Sequence, residues 1–199
     1  VYKVSTEPTY PPFDTTNKDG DIVGFDMDLM KAIAKDQGFK VEFESLEFDA
    51  LIPALKSDST DIVIAGMNVT PERAKQVAFS DPYYKTGIVV LVKKDNTTIT
   101  GWDSFTSGSG LKVAAQTGTS QADIAEQLKK EGKISKATIL NQNTTALQQL
   151  ENGDVDAVLV DKPVAVDIVA SQGAKYKVVG DMKTDSVADV AIAVKTDNK

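Results

Sequence analysis

The residues with the most chemistry to offer in this 199-residue chain sit in a few short stretches. In Ala65-Gly66-Met67-Asn68-Val69-Thr70-Pro71-Glu72-Arg73, Gly66 leaves room for a bound group to touch the backbone, and Asn68 offers a backbone N–H and a side-chain amide. Thr70-Pro71 opens a helix whose free N–H groups favour an anion. Arg73 falls in that first turn, where a cation opposes the helix dipole. It either holds a carboxylate by two parallel hydrogen bonds or is a surface arginine paired with Glu72 or another acid. Gln116-Thr117-Gly118-Thr119-Ser120 is a second glycine-bearing loop entering a helix, with Thr119 or Ser120 as its cap; every strand-to-helix unit needs a cap, so alone it says little. Asp161 follows four apolar residues, so its carboxylate can pair with an ammonium beside the sheet or cap the helix beginning at Lys162-Pro163. Tyr10, Phe13 and Phe48 either wall an apolar slot or join the core.

Other chemistries are excluded by composition. The chain has no cysteine and no histidine, so disulfides, thiolate metal sites, cysteine nucleophiles and the commonest general base are absent. Twenty-two Lys and Arg stand against 29 Asp and Glu, a net charge of -7 that disfavours nucleic acid and anionic membrane. No Walker P-loop or G-x-G-x-x-G occurs, and no apolar run is long enough to span a bilayer. The expectation is no catalytic residue, no metal and no cofactor. The chain opens on a strand-like Val1-Tyr2-Lys3-Val4, and any leader or anchor is expected to have been removed.

These stretches are positioned by alternating apolar runs and amphipathic segments. The pattern predicts strand 2–6, helix 25–37, strand 40–44, helix 48–57, strand 61–65 and helix 71–77, with Gly38 ending the first helix. A second series follows: strand 111–115, helix 120–131, strand 137–140, helix 144–151, strand 155–160 and helix 162–171. Both series read as βα units, hence an α/β fold with largely parallel sheets. They superimpose: Lys3-Val4-Ser5-Thr6-Glu7 matches Lys112-Val113-Ala114-Ala115-Gln116, and Leu55 precedes Asp61 by the interval at which Leu150 precedes Asp156. Two lobes follow, 1–86 with 188–199, and 87–187. The Val-rich Ile88–Val92 and the alternating Val187–Val194 are the candidates for a paired hinge. Ligands of such sheets sit beyond the carboxyl ends of the strands, which selects Glu7, Gly66, Gln116 and Asp161.

Taken together, the segments resemble the extracellular solute-binding protein family 3, the periplasmic-type receptors of polar amino-acid ABC importers. The resemblance rests on Tyr10-Pro11-Pro12-Phe13, Gly24-Phe25-Asp26-Met27-Asp28-Leu29, Ile52-Pro53-Ala54-Leu55, Thr70-Pro71-Glu72-Arg73, Phe79-Ser80-Asp81-Pro82-Tyr83-Tyr84, Gln116-Thr117-Gly118-Thr119 and Asp156–Asp161. It implies a two-lobed type II periplasmic-binding-protein clamshell with two hinge strands, which closes on a free L-amino acid and delivers it to an ABC permease. It also implies roles: Arg73 for the ligand α-carboxylate, with backbone N–H groups of Asn68 and Thr119; Asp161 and the Gly66 carbonyl for the α-ammonium; Tyr10 and Phe48 around the side chain. It places the protein in the periplasm or outside the cell, free or lipid-anchored, as a monomer. The chain departs from the family at Glu7, commonly Asp, and at Gln116, a Lys in some members. It also stops at Lys199, before further helices expected to pack on the first lobe.

Glu7 ends the first strand a short step before Tyr10, so its carboxylate is expected at the distal end of a bound side chain. A cation there satisfies an otherwise costly buried charge, and neutral Gln116 adds no repulsion. Arginine is therefore expected first and lysine next, ahead of glutamine, with glutamate and aspartate disfavoured. A glutamine or other neutral polar receptor is the first alternative, should Glu7 face solvent or a lysine. A dehydratase-like enzyme on the same fold, with Glu7 as its acid, is the second. A sensor or receptor-channel module is the third.

Overall fold

A computed structural model describes residues 1–196; the expectation for 197–199, as part of the first lobe, lies outside the described residues. The chain separates into two compact units, Val1–Lys85 with the return segment from Ala188, and Thr86–Val187.

In the first unit, β1 (Tyr2–Thr6) is followed by the short pair β2 (Thr15–Thr16) and β3 (Ile22–Val23), then α1 (Phe25–Gln37), β4 (Val41–Ser45) and α2 (Leu51–Lys56). β5 (Ile62–Val63), α3 (Pro71–Ala74), β6 (Ala78–Phe79) and β7 (Tyr84–Thr86) complete the outward chain. The caps are those the sequence predicts. Gly38 ends α1 in the left-handed conformation at φ 74°, and the Thr70 hydroxyl accepts the backbone N–H of Arg73. In place of a helix over 48–57, a 3₁₀ turn over Phe48–Ala50 leads into α2, and α3 is a single turn rather than a helix over 71–77. Period-2 alternation splits the core between two faces of the sheet. Val63 faces Leu51 and Leu55 of α2, while Ile64 and Val4 face Met27 and Met30 of α1.

The second unit runs β8 (Ile88–Lys93), β9 (Lys112–Gln116), α4 (Ser120–Lys130), β10 (Lys136–Leu140), α5 (Asn143–Asn152), β11 (Ala157–Asp161), α6 (Lys162–Gln172) and β12 (Tyr176–Val179). The chain then returns through β13 (Ala188–Val190) and β14 (Ala193–Val194). Ala122, Ala125 and Leu128 of α4 pack on Val90, Val92, Val113, Ala115 and Leu159.

The two sheets have one design. The first has the order β4-β1-β5-β14-β6 and the second β10-β9-β11-β8-β12. In each, three parallel strands are followed by one antiparallel strand and then an edge strand. The sequence repeat has a physical counterpart: Asp61 Oδ2 accepts the N–H of Lys3 at 2.8 Å, and Asp156 Oδ2 accepts that of Lys112 at 2.7 Å. Each aspartate thus fastens the parallel strand before its own to the start of the next.

One expectation is corrected. Ile88–Val92 is not a hinge strand but the fully buried β8, hydrogen-bonded to β11 and β12 inside the second sheet. The chain passes between the units along β7 and back along β13, which pair with each other. A run of five apolar β-formers satisfies a hinge and a central strand equally, and only the pairing tells them apart.

Candidate functional site

The candidate residues fall into two groups, one in each unit. In the first, β1 delivers Glu7 just past its last residue, and the carboxylate, 3% exposed, accepts from the Thr9 hydroxyl at 2.8 and 2.9 Å. The chain then turns through Tyr10–Asp14, where the N–H of Tyr10 donates to the carbonyl of Asp14 at 2.9 Å. This turn lies against the start of α1: a Cβ on Gly24 would stand 2.1 Å from the Phe13 carbonyl oxygen, so only glycine permits the approach. Gly66 follows β5 at φ +55°, and a Cβ there would meet the Tyr10 ring at 3.2 Å. Tyr10, Phe13 and Gly66 therefore form one surface, with the two rings stacked at 6.2 Å between centroids.

Arg73 is drawn inward rather than exposed. Its Nη1 donates to the carbonyl of Asn68 at 2.7 Å, and its guanidinium lies 5.3 Å from the centre of the Phe48 ring. Neighbouring Glu72 is exposed, so the surface-pair alternative for Arg73 does not describe its surroundings. Asn68 is buried and bridges to Val190. Phe48, half-buried in its 3₁₀ turn, serves the guanidinium and also packs on the core around Leu51.

In the second unit, β9 and β11 are adjacent parallel strands, so Gln116 and Asp161 end them on the same edge. Both are buried. Thr119 caps α4, its hydroxyl accepting the N–H of Ala122 at 3.2 Å and donating to the Gln116 carbonyl at 2.7 Å. Asp161 occupies the cap position of α6, yet its side chain makes no capping bond. The cap alternative for Asp161 is thereby removed.

Two sets of residues escaped the sequence reading. Gln116 is a locked amide: its Nε2 donates to the Asn141 carbonyl at 2.9 Å, and its Oε1 accepts from Asn143 Nδ2 at 2.7 Å. The backbone carbonyl fixes the orientation of both amides, since it can only accept. In the first unit, Asp14 and Asp26 are buried beside Thr6, Tyr83 and Gly66. Burial, above all, raises Asp14 well above the usual carboxylate range and pushes Asp26 up to about 6. The available signal for Asp26 was an acid in a first helical turn on the same face as Met27, Met30 and Ala34. An acid there is ordinarily read as a solvated complement to the dipole. Two open depressions in the second unit, of about 420 and 480 Å³, share Glu151 and Tyr176 and contain none of the candidate residues.

The class this fold and these residues define is a solute-binding protein. The family "Bacterial extracellular solute-binding proteins, family 3" matches residues 2–157, and the chain belongs to it. Its topology is that of the type II periplasmic binding proteins. The chain is 36% identical over 199 residues to ABC transporter arginine-binding protein 1 of Escherichia coli (strain K12), covering 96% of this chain and 76% of that protein. It spans 63% and 61% of the length of two further arginine-binding relatives. Among solved structures, an ancestral arginine-binding protein bound to arginine aligns with TM-score 0.91 at 41% identity, over 99% of this chain and 85% of that one. The ancestral arginine-binding protein bound to glutamine aligns with TM-score 0.89 at 41% identity, over 99% and 84%. The ancestral amino acid-binding protein AncCDT-1, a precursor of cyclohexadienyl dehydratase, aligns with TM-score 0.87 at 38% identity, over 98% and 81%.

Proposed function

We propose that this chain is the extracytoplasmic receptor of an amino-acid ABC importer, binding one free L-amino acid and passing it unchanged to a permease. The observation that carries this reading is a buried charge of each sign, one in each unit. The Arg73 guanidinium is held by the Asn68 carbonyl and the Phe48 ring, and the Asp161 carboxylate stands at a helix start without capping it. A guanidinium suits an α-carboxylate and a carboxylate suits an α-ammonium. The Asn68 and Thr119 backbones would help the first and the Gly66 carbonyl the second, with Tyr10 and Phe48 around the side chain. Complementarity to a zwitterion in its ground state serves a carrier, whereas an enzyme gains rate only from what it binds better in the transition state. The protein would act as a monomer in the periplasm or outside the cell, free or lipid-anchored. β7 and β13 would serve as the hinge.

Arginine is the favoured ligand, with lysine next. Glu7 is a buried acid at the end of β1, and Asp14 beside it feels its charge, so a cationic side chain gains most there. The names of the relatives support this choice. Glutamine is the second reading, favoured by the ancestral arginine-binding protein solved with glutamine bound. A thermal-shift screen of the free amino acids, followed by calorimetry, decides between them. Arginine or lysine should give the largest shift, and a clear shift with glutamine but none with either would overturn the basic-ligand reading.

A further inference from the structure

The first unit buries more acid than its candidate site uses. Asp14 and Asp26 are both 0% exposed, Asp14 Oδ2 and Asp26 Oδ1 are buried without a hydrogen-bond partner, and the charge of Asp26 acts on Asp14. Nothing in helix formation calls for this: Asp28, one turn position away, serves the dipole of α1 equally well from the solvent side. Two buried carboxyls that repel each other and leave an oxygen each without a partner do not both carry charge cheaply, so between them they keep a proton.

The groups facing the pair come from three neighbouring segments. The Thr6 hydroxyl of β1 donates to Asp14 Oδ1 at 2.6 Å, and the Glu7 carboxylate acts on Asp14 from the same strand end. After β5, the Gly66 N–H donates to Asp26 Oδ2 at 2.7 Å. Before β7, the Tyr83 hydroxyl reaches Asp26. The leading groups acting on the pair are thus neutral or anionic. They also join its two ends to the backbone at Gly66 and to Glu7, the two places where the proposed ligand would bring positive charge.

We propose that Asp26, buried beside Asp14, is a positioning residue for amino-acid capture: its carboxylate holds Gly66 in place, and capture of a cationic amino acid is tied to ionisation of the two acids. This rests on the receptor reading above. Ligand cations near Gly66 and Glu7 favour the more negative form of the pair, so binding releases proton to solvent, and affinity rises with pH through about 6, where Asp26 titrates. Stability without ligand moves the other way. A carboxyl raised above its unfolded value of about 4 binds protons more tightly in the folded state, so the folded protein loses stability as pH rises from about 4 past 6. Opposed trends separate a coupled pair from simple acid damage to the fold.

The test is calorimetry of the full chain with arginine between about pH 5 and about pH 8, in buffers of different ionisation heat, on the native protein and on Asp26→Asn. The native protein should bind about five- to tenfold more tightly at the upper end and release proton near pH 6. Asp26→Asn keeps an acceptor for Gly66 but cannot ionise, so its affinity should be flat over this range with no such proton release. A folded Asn variant that keeps the native pH profile and proton release overturns the inference. If that variant does not fold, Tyr83→Phe removes a hydroxyl whose influence lowers Asp26, and the profile should move to higher pH; an unmoved midpoint overturns it equally. Native protein that binds no amino acid at any pH refutes the receptor reading, whereas binding that is indifferent to pH refutes only this inference.

Discussion

The two units share one sheet design and fill it with different chemistry. Each has three parallel strands, an antiparallel fourth and an edge strand, and each fastens the first of its parallel strands with an aspartate, Asp61 or Asp156. The first unit takes its antiparallel strand, β14, from the far end of the chain, and β5, β6 and β14 are two residues each. The second is continuous, and its antiparallel β8 is six residues long. Their buried charges differ in number: the first buries Glu7, Asp14, Asp26 and Arg73 besides its hydroxyls and Asn68, and the second buries Asp161 among amides and hydroxyls. Buried amides can satisfy one another, as Gln116 and Asn143 do, whereas a buried charge must find a cation, an anion or a proton. On the proposed function, the difference gives the first unit more buried charge for a ligand to answer.

If so, the largest loss should follow Arg73→Ala. Removing one partner of a desolvated ion pair costs roughly 2–5 kcal/mol, so calorimetry should find amino-acid binding weakened about 30-fold or more. Binding within about threefold of the parent, or under about 0.7 kcal/mol, would break the comparison at its main point. Asp161→Asn tests the second unit's one buried acid. It should weaken binding less than Arg73→Ala, by about tenfold or more, because the Gly66 carbonyl remains for the ammonium. Glu7→Gln sharpens the contrast without abolishing it. Arginine affinity should fall by about tenfold while any glutamine affinity is kept or improved, and equal losses for both would show that Glu7 does not read the side chain.

The smallest effect concerns what the units share. Asp61→Asn and Asp156→Asn each weaken one charged bond to a strand N–H, so each should cost about 0.5–1.5 kcal/mol in chemical denaturation, with ligand affinity unchanged. A much larger loss at Asp61 than at Asp156 would show that the two units do not use the device alike.

Sequence alone determined the parts governed by local rules. Period and punctuation placed β1 and α1 at their observed bounds, identified Gly38 and Thr70 as caps, narrowed the α4 cap to Thr119 or Ser120, and exposed the repeat through the spacing of Asp61 and Asp156. Those features depend on residues within a few positions of one another, where steric preference and hydrogen bonding are strong enough to be read directly. Tertiary structure decided the rest. It alone made Ile88–Val92 a central strand and gave the crossing to β7 and β13, because an apolar β run does not name its partner. It turned Asp161 away from the cap role that its position allowed and locked Gln116 through Asn141 and Asn143. Above all it set Asp14 beside Asp26, across a turn that only Gly24 allows to approach α1. The charge state of a carboxyl depends on water and neighbours that are distant in sequence, and these exist only once the chain has folded.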